Sequence, residues 1–380
     1  MSEGAPLRVG VVCDLLEEHW PSMDLVADEL MRTLPQVRSP RVAPVRVRPT
    51  MPRWSAALAR AVHLRAAANA NRYLDRHRRY PRWLRQHPPG CDAYHVVDHT
   101  YAHLVRELPA ARTVVTCHDV DAFRSLFDLA AERRSRMFRA MTARVLDGLR
   151  RAAIVTCDSV ATRDALIAHG LRIARLEVVP LGVHPAFTPA AATPSLSVDE
   201  PLMLHVGSTI DRKRIDVLLR VFARVQHVVP TARLVRVGGA FTSRQAALAA
   251  SLGVSDAITV MPVITRSALA DLYRRAALVL LPSDAEGFGL PVAEAMACGT
   301  PVVASDLPVL REVGGAASTY APVADVDAWV ATIRALLAER EAEPEHWEER
   351  RRAALRQASS FTWERCAQRM AECYAEVAGG

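Results

Sequence analysis

The chain has 380 residues, of which 50% are hydrophobic and 23% charged, and its formal net charge is +7. This length predicts two domains, and the apolar content excludes an intrinsically disordered chain. Apolar runs such as 276-AALVLLP-282 are much shorter than a bilayer-spanning helix, so we expect no membrane span.

The amino-terminal segment and the cysteines indicate the cellular compartment in which the protein is expected. The segment MSEGAPLRVGVVCDLL lacks the basic stretch, apolar run and cleavage site of a signal peptide. The seven cysteines are scattered and form no CxxC pair, which is typical of reduced thiols rather than of disulfides or zinc sites. We therefore expect a cytoplasmic protein.

The first half of the chain alternates short apolar runs with amphipathic segments. Strands are predicted at 7–15, 93–97, 112–117, 153–157 and 176–180, with helices such as 23–34 and 136–152 between them. Continuous apolar strands that alternate with helices indicate a parallel sheet covered on both faces. We therefore predict a doubly wound α/β domain over residues 1–183.

Positive charge is concentrated in this first half. Nine arginines and one acid, Asp75, lie between Arg53 and His87. Such a stretch is most typical of a solvated helix, and contact with an anionic membrane or an anionic acceptor is the alternative. Membrane contact through 53–87 would put the protein at the inner membrane face. No nucleic-acid motif accompanies the charge, so we do not expect nucleic acid as a partner.

The second half repeats the alternation after a linker. Residues 184–200 are rich in Pro, Ala, Ser and Thr and have no periodicity, which predicts the linker. Strands are predicted at 202–208, 232–239, 257–262, 277–283 and 301–305, and helices at 215–228, 243–252, 267–276, 291–298 and from about 325. These elements form a second doubly wound domain over residues 201–363, and a helix at about 364–380 is expected to pack back on the first. The cleft between two such domains is the predicted active site.

An anion-binding turn is predicted after the strand 277–283. Glu286 opens a loop with two glycines, and Pro291 follows in the first turn of a helix, where its missing N–H costs nothing. Main-chain N–H groups at a helix start favour a phosphate. Glu294, one turn inside the helix, would accept hydrogen bonds from hydroxyls of the same ligand. A structural turn with a solvated Glu286 is the alternative. The contributing N–H groups are expected from Gly287, Phe288, Gly289 and Leu290.

Lys213 is the only lysine in the chain. It lies in 206-VGSTIDRKRIDVLLRVF-222, which is a predicted strand, basic loop and helix. A compact ammonium acts on phosphate as a point charge, whereas the guanidinium of Arg212 is a planar fork. We interpret the pair as an anion-binding group, and the chance survival of one lysine codon is the alternative.

These segments together resemble a known family. Glu286 and Glu294 form the E-x7-E pattern of GT-B-fold retaining glycosyltransferases, in particular family four. The surrounding segment, EGFGLPVAEAMACGTPVVAS, resembles the sequence that is usual in that family. The strand, basic loop and helix at 206–225 look like the family's corresponding element. Three segments of the first half match in position: 116-TCHDV-120, 154-IVTCDSVATRDAL-166 and 178-VVPLGVHPAF-187. The resemblance covers nearly the whole chain and is weaker before residue 90.

The resemblance implies a fold and a function. The implied fold is GT-B, with two Rossmann-like domains facing a central cleft. The implied reaction is metal-independent transfer, with retention, from a nucleotide-diphosphate sugar to a hydroxyl acceptor such as a glycan, a lipid carrier or a small natural product. We expect a UDP- or GDP-sugar as donor, and no cofactor. The alternatives are a GT-B-fold sugar-nucleotide epimerase and a non-enzymatic basic module that binds membrane or nucleic acid.

The resemblance also assigns roles to residues. Arg212 and Lys213 would neutralise the leaving diphosphate, Glu286 would bind donor-sugar hydroxyls, and Glu294 would bind the ribose. His118 would lie beside the donor sugar and the acceptor, with a satisfied core histidine as the alternative. Further donor-side residues are Gly207, Ser208, Pro262 and Val263. The candidates for the acceptor side are Asp98, His99 and Asp119.

Two places depart from the family pattern. Ser208 stands where the family often has an arginine directly after the glycine of the strand, which shifts the phosphate interaction onto Arg212 and Lys213. The loop 14-DLLEEHWPSMD-24 replaces the glycine pair that many relatives carry after the first strand.

A metal site is a rival interpretation of 95-HVVDHTYAH-103. Its histidines are four residues apart, a spacing that binds metal on a helix. The predicted strand at 93–97 breaks this spacing, so we expect no metal there. The four side chains concerned are His95, Asp98, His99 and His103.

Overall fold

The computed structural model describes residues 5–18, 21–51, 71–127, 134–190 and 200–379. The chain divides into two units, one comprising Met1–Gly182 with Trp363–Gly380 and the other Val183–Thr362. The division lies beside the predicted boundary at residue 183, and the C-terminal helix belongs to the first unit. Residues 191–199 of the predicted linker and residues 53–70 of the basic stretch lie outside the described residues.

The first unit is built on a six-stranded parallel sheet in the order β2-β1-β3-β4-β5-β6. The strands are β1 Leu7–Val12, β2 Val42–Val47, β3 Ala93–Val96, β4 Thr113–Cys117, β5 Ile154–Cys157 and β6 Leu176–Val178. Sequence analysis missed β2 because its segment contains Pro44, which a sheet tolerates at an edge strand such as this one. The strand order reverses between β1 and β3, which makes the loops after these strands a topological switch point.

Helices and short 3-10 segments connect these strands. The helices of the first unit are α1 Pro21–Thr33, α2 Tyr80–Gln86, α3 Arg124–Phe127, α4 Arg136–Arg151, α5 Val160–Ala168 and the C-terminal helix α13 Trp363–Gly379. A 3-10 helix, His99–Glu107, follows β3. Ser159 caps α5 by accepting a hydrogen bond from the Thr162 N–H at 3.1 Å, as its residue type favours.

The C-terminal helix is held to the first sheet by a buried hydrogen-bond chain. The Tyr374 hydroxyl lies 2.8 Å from His95 Nδ1, and His95 Nε2 lies 2.7 Å from the Thr116 hydroxyl, which in turn contacts Thr156 at 2.8 Å. Burial lowers the pKa of His95 to about 3, so its ring is neutral. This histidine therefore has a structural role, and no three potential metal ligands cluster in the part of the chain that the structure describes.

The second unit contains another six-stranded parallel sheet, in the order β12-β11-β10-β7-β8-β9. Its strands are β7 Leu202–Val206, β8 Arg233–Val237, β9 Ile258–Met261, β10 Leu278–Leu281, β11 Val302–Ser305 and β12 Thr319–Ala321. The switch point of this sheet lies between β7 and β10.

Seven helices are described around this sheet. They are α6 Ile215–Val228, α7 Ser243–Ser251, α8 Arg266–Arg275, α9 Leu290–Ala297, α10 Pro308–Gly314, α11 Val326–Ala342 and α12 Pro344–Ala358. On α6 the residues Ile215, Leu218, Phe222 and Val225 recur at helical spacing and are all buried. Each contributes about 1.5–3 kcal/mol by burial, which fixes the helix that follows the basic loop. Among the described helices, none combines the length and hydrophobicity that crossing a bilayer requires.

Gly148 allows α4 to pack directly on the 3-10 helix that follows β3. A Cβ atom at this position would lie 1.9 Å from the carbonyl oxygen of Ala102, a distance that no side chain tolerates. The contact positions the 3-10 helix that starts at His99, and with it the polar residues at the end of β3.

We predict that Gly148→Ala lowers the free energy of unfolding by about 2–3 kcal/mol, because the methyl group overpacks a backbone contact. Urea denaturation measures this change. Arg150→Ala, at an exposed position of the same helix, is the control and should change stability by less than about 0.5 kcal/mol. A Gly148→Ala variant as stable as the wild type would contradict the close packing.

Candidate functional site

Two loops meet at the switch point of the second sheet. The loop after β7 contains a 3-10 turn, Asp211–Lys213, and the loop after β10 contains Glu286. The Asp284 N–H donates a hydrogen bond to the Arg212 carbonyl at 2.9 Å and joins the two loops. Residues that sequence analysis found in separate motifs are thus brought together here.

Lys213 and Glu286 form the central ion pair of this site. Lys213 is 8% exposed, and its Nζ donates to Glu286 Oε1 at 2.5 Å. The same oxygen accepts a hydrogen bond from the Ser283 hydroxyl at 2.7 Å. Arg212 Nη1 donates to the Ala285 carbonyl at 2.9 Å and to Glu286 Oε2 at 3.4 Å. Two cations therefore share one carboxylate, and the three side chains carry a net positive charge. Sequence analysis did not predict this ion pair.

The start of α9 adjoins this cluster. Gly289 caps the helix with φ +96°, and a Cβ there would lie 2.7 Å from Leu310 Cδ2, so only glycine fits. Pro291 occupies the first turn. The first N–H groups of a helix have no intrahelical acceptor and lie at the positive end of its dipole. The loop that carries Glu286 therefore ends at a helix start close to the predicted position, and anion binding there stays a prediction.

Glu294 is held inside the same helix by a tyrosine. The hydroxyl of Tyr273, a fully buried residue of α8, donates to Glu294 Oε2 at 2.8 Å. Burial raises the pKa of Glu294 to about 7, although the Tyr273 hydrogen bond and the charge of Arg266 act in the opposite direction. The carboxyl group is therefore partly protonated at neutral pH. Sequence analysis missed Tyr273, because it is 21 residues away from Glu294 in the chain.

The other predicted donor-side residues lie at the same edge of the second sheet. Gly207 and Ser208 directly follow β7, and Pro262 and Val263 directly follow β9. Ser208 and Pro262 are exposed, and Val263 is 67% exposed. Because all six strands are parallel, these positions share the edge that carries Glu286.

The first unit has a second polar cluster at its own switch point. Asp98 caps the 3-10 helix and accepts hydrogen bonds from the Thr100 N–H at 2.8 Å and the Thr100 hydroxyl at 2.6 Å. His99 Nδ1 accepts a hydrogen bond from the main-chain N–H of His118 at 3.2 Å. Asp119 Oδ1 lies 3.8 Å from His99 Nε2. The structure thus brings together all three residues predicted for the acceptor side.

Both ring nitrogens of His118 face hydrogen-bond acceptors. Nδ1 lies 2.6 Å from Asp158 Oδ2, and Nε2 lies 2.7 Å from the Val97 carbonyl oxygen. Burial alone would lower the pKa of His118, but the Asp158 carboxylate raises it to about 9. The ring is therefore a fixed cation, and in this geometry neither nitrogen is available as a base. Sequence analysis missed Asp158, although it follows β5 directly, the same signal that identified Asp98.

Asp14 is a further residue that sequence analysis missed. It lies two residues beyond β1, is 2% exposed, and has the Asp98 carboxyl group as its hydrogen-bonding neighbour. Burial and the neighbouring Asp98 raise its pKa well above the ordinary value. Burial opposes ionisation of Asp98, but the charges of His99, His118 and Arg76 lower its pKa to about 2. The two acids therefore differ in charge: Asp98 is ionised and Asp14 protonated.

The described part of the basic stretch is partly neutralised by acids of the first unit. Arg79 Nη1 pairs with Asp75 at 2.5 Å, and Arg85 Nη1 pairs with Glu107 at 2.9 Å. Arg76 lies 4.2 Å above the centre of the Tyr101 ring. These arginines are therefore part of the packing of the first unit as well as of its surface.

We predict that Asp158→Asn destabilises the protein by about 3 kcal/mol at neutral pH, because it leaves the buried His118 cation without its counterion. Since folding raises the pKa of His118 from 6.5 to about 9, the contribution is fully present below pH 6.5 and is lost as the pH rises through 9. Urea denaturation between pH 6 and pH 10 measures it.

Asp147→Asn is the control for this experiment. Asp147 pairs with Arg106 and Arg151 at the surface, so its replacement should cost less than about 1 kcal/mol. A stability difference between wild type and Asp158→Asn that is as large at pH 10 as at pH 7 would contradict the charged state assigned to His118.

Two family models match the chain. The model described as Glycosyltransferase Family 4 matches residues 22–187, and the model described as Glycosyl transferases group 1 matches residues 191–354. The first match lies almost entirely in the first unit and the second entirely in the second unit. Together they account for most of the chain.

Curated relatives include D-inositol 3-phosphate glycosyltransferases. The protein of that name from Xylanimonas cellulosilytica is 35% identical over 249 residues, which cover 59% of this chain and 57% of the relative. The one from Mycobacterium tuberculosis strain H37Ra is 36% identical over 242 residues, which cover 60% of this chain and 48% of the relative. The chain thus spans about half the length of the curated relatives it matches.

Solved structures share the fold along nearly the whole chain. Sucrose-phosphate synthase from Thermosynechococcus elongatus has a TM-score of 0.73 at 20% identity and covers 97% of this chain and 98% of its own. The Anabaena protein HepE, in complex with UDP and glucose, has a TM-score of 0.71 at 15% identity. The match covers 97% of this chain and 99% of HepE. The predicted fold class is confirmed, and the chain belongs to the GT-B-fold glycosyltransferases of family four, the glycosyl transferases group 1.

Proposed function

We propose that this protein transfers a sugar from a nucleotide-diphosphate sugar to a hydroxyl acceptor, with retention of the anomeric configuration and without a metal ion. The observation that carries this proposal is the cationic cluster of Lys213 and Arg212 around Glu286. It lies at the switch point of the second sheet, where open α/β sheets bind their ligands.

The leaving diphosphate would bind at this cluster. Negative charge builds on the phosphate as the sugar departs, and Lys213 and Arg212 would stabilise it. Their side chains are only 11% and 25% exposed, so water screens them weakly and their charge acts strongly on a bound anion. The start of α9 adds main-chain N–H groups on the same edge of the sheet. The two cations would supply the charge that a divalent ion supplies in other transferases.

Glu286 would have two functions at this site. In the absence of ligand its carboxylate compensates the poorly exposed Lys213 ammonium and so limits the cost of burying that charge. With donor bound, its oxygens would accept hydrogen bonds from hydroxyls of the sugar. Its contact with Lys213 at 2.5 Å would then align the sugar and the leaving group with each other.

Transfer with retention requires no catalytic base from the protein. The bond between the anomeric carbon and the phosphate oxygen breaks, and its electron pair stays on that oxygen. The acceptor hydroxyl forms the new bond on the same face of the sugar and gives its proton to the departing phosphate. The His118 ring, which is hydrogen-bonded at both nitrogens, is consistent with this scheme, since neither nitrogen is available to accept a proton.

The acceptor would bind at the polar cluster of the first unit, formed by Asp14, Asp98, His99 and Asp119. The matched relatives support the general class: they are named D-inositol 3-phosphate glycosyltransferases, and HepE was solved with UDP and glucose. A UDP- or GDP-sugar is the proposed donor. No further cofactor is proposed.

Contact with an anionic membrane at the cytoplasmic face is a further part of this proposal. In the described part of the basic stretch, Arg72, Arg78 and Arg82 are exposed, and Leu74 between them is 41% exposed. Exposed arginines around an apolar side chain suit the surface of an anionic bilayer.

Lys213→Met should reduce sugar transfer by about 100-fold or more, since it removes a preorganised charge from the leaving group. The double variant Lys213→Met with Glu286→Gln should also be inactive but should melt close to the wild type, because it removes both charges of the central ion pair together. Transfer is measured with a labelled donor and a panel of hydroxyl acceptors, and melting by calorimetry.

The matched control is Arg214→Met. Arg214 is the next residue in the chain and pairs with Asp216 at 3.0 Å, so this variant should keep wild-type activity. Near-normal transfer by Lys213→Met would refute the proposed role. Conversion of the donor sugar to an epimer in the absence of acceptor would favour an epimerase instead.

Binding of nucleoside diphosphates should depend on pH through Glu294. A thermal-shift screen of UDP, GDP, ADP and dTDP identifies the preferred base. Because the pKa of Glu294 is about 7, its carboxylate is mostly ionised at pH 8 and mostly protonated at pH 6. Hydrogen bonds from ribose to a charged acceptor are stronger by about 1 kcal/mol, so affinity should be about fivefold higher at pH 8.

Glu294→Gln is the control for this prediction, because any pH dependence that it keeps belongs to the phosphate groups of the ligand. The ratio of wild-type to variant affinity should therefore rise between pH 6 and pH 8. A constant ratio would show that the ribose does not contact this carboxyl group.

A further inference from the structure

We propose that Arg236 is a positioning residue for the donor diphosphate. It fixes the turn after β7 so that the Ser208 N–H is presented to a phosphate, and it places an additional positive charge behind that turn. This inference rests on the donor site proposed for the second unit.

Arg236 lies near the carboxyl end of β8, at a buried position of the second sheet where an apolar side chain is expected. It belongs to β8, pairs in register with His205 of β7, and is 0% exposed. Its chain neighbours Val235 and Val237 are apolar, as is typical of a strand that is covered on both faces. An arginine at this position therefore has to be explained by something other than solvation.

The buried guanidinium has main-chain oxygens as partners, and none of the described residues provides it with a counterion. It donates to the carbonyls of Gly207 at 2.7 Å, of Gly238 at 3.4 Å, and of Gly239. In the described residues we find no carboxylate within ion-pair distance of Arg236, and its Nε has no hydrogen-bond partner. Burying an uncompensated charge costs several kcal/mol. A negatively charged ligand nearby would offset this cost.

The contact with Gly207 sets the direction of the next N–H group. In a planar trans peptide the carbonyl of one residue and the N–H of the next point in opposite directions. Because Arg236 takes the Gly207 carbonyl, the Ser208 N–H points away from the guanidinium. None of the residues that the structure describes accepts a hydrogen bond from it. The Gly207 N–H donates to the Val237 carbonyl at 3.0 Å, which fixes the turn from its other side.

Gly238 makes room for this arrangement. Its φ is +124°, and a Cβ there would lie 2.0 Å from the Gly207 carbonyl oxygen that Arg236 contacts. Any side chain at this position would displace the carbonyl. The turn after β7, the glycine after β8 and the buried arginine therefore form one interdependent structure.

The same turn contacts Lys213. A Cβ on Gly207 would lie 3.5 Å from Lys213 Cε, so the glycine packs on the stem of that side chain. His205 lies below the turn, and burial together with the charges of Lys213 and Arg236 lowers its pKa to about 3. The histidine is thus neutral and does not compensate either cation. Arg236 adds to the positive field at the donor site that Lys213 and Arg212 establish.

This arrangement offers a physical reason why serine is sufficient at position 208. A family arginine at that place would act on the phosphate directly. Here the backbone N–H of Ser208 is presented instead, and the guanidinium lies on the neighbouring strand, beneath the turn. A positive charge is therefore still present near the proposed phosphate position, but the group that would contact the phosphate is the backbone N–H of Ser208.

The test compares Arg236→Met with Arg233→Met, a change at an exposed position of the same strand. Calorimetric titration measures affinity for the nucleoside diphosphate preferred by the wild type and for the corresponding nucleoside. Arg236→Met should weaken binding of the diphosphate by about 10- to 100-fold and leave the nucleoside unchanged, because the Ser208 N–H loses its fixed direction toward the charged phosphate and the turn loses the positive charge beneath it. Arg233→Met should change neither, and Arg236→Lys should restore part of the diphosphate affinity.

The melting temperature without ligand separates this role from a structural one. Arg236→Met removes a buried charge, but it also leaves the Gly207 carbonyl without its donor. Because these two effects oppose each other, the variant should melt close to the wild-type temperature. Equal losses for diphosphate and nucleoside, or wild-type diphosphate affinity in Arg236→Met, would overturn the inference and leave the proposed function intact. If the wild type binds none of the four nucleoside diphosphates, the proposed function fails and this inference fails with it.

Discussion

The ion pair between Lys213 and Glu286 is the interaction on which the proposed donor site depends. It joins the loops after β7 and β10, which the strand order places side by side at the switch point. Each partner offsets the free-energy cost of burying the other, since either charge alone would be poorly solvated. The extra cation, Arg212, leaves the cluster with a net positive charge, which favours the anion proposed to bind there. The glycine loop and the start of α9 complete the site with main-chain N–H groups.

Much of the fold follows from the sequence, because its strands are buried on both faces and therefore appear as continuous apolar runs. The β7 and β10 segments illustrate this, and Gly299 after α9 marks the end of a helix in the usual way. The strand β2 was missed, since Pro44 contradicts the ordinary strand pattern and is tolerated only because β2 lies at the edge. The strand β12 was also missed, since its three residues are too few to show a hydrophobic pattern.

The candidate site was predictable in its motifs but not in its contacts. The glycine loop with Glu286 and the basic loop with Lys213 each have a local pattern, yet they are 73 residues apart and their ion pair depends on sheet topology. The pairing of His118 with Asp158 joins residues 40 apart, and that of Arg236 with Gly207 joins residues 29 apart. Only the three-dimensional structure reveals that His118 is a fixed cation, and that a buried arginine supports the turn before Ser208.

The two units thus offer different chemistry, with cations around one carboxylate in the second and a cluster of acids around His118 in the first. The most direct test of the central claim is a crystal structure of the protein with its preferred nucleoside diphosphate. The account predicts phosphate oxygens within hydrogen-bond distance of Lys213 Nζ and of the main-chain N–H groups at the start of α9. Diphosphate bound elsewhere, with the Lys213–Glu286 pair untouched by the ligand, would contradict it.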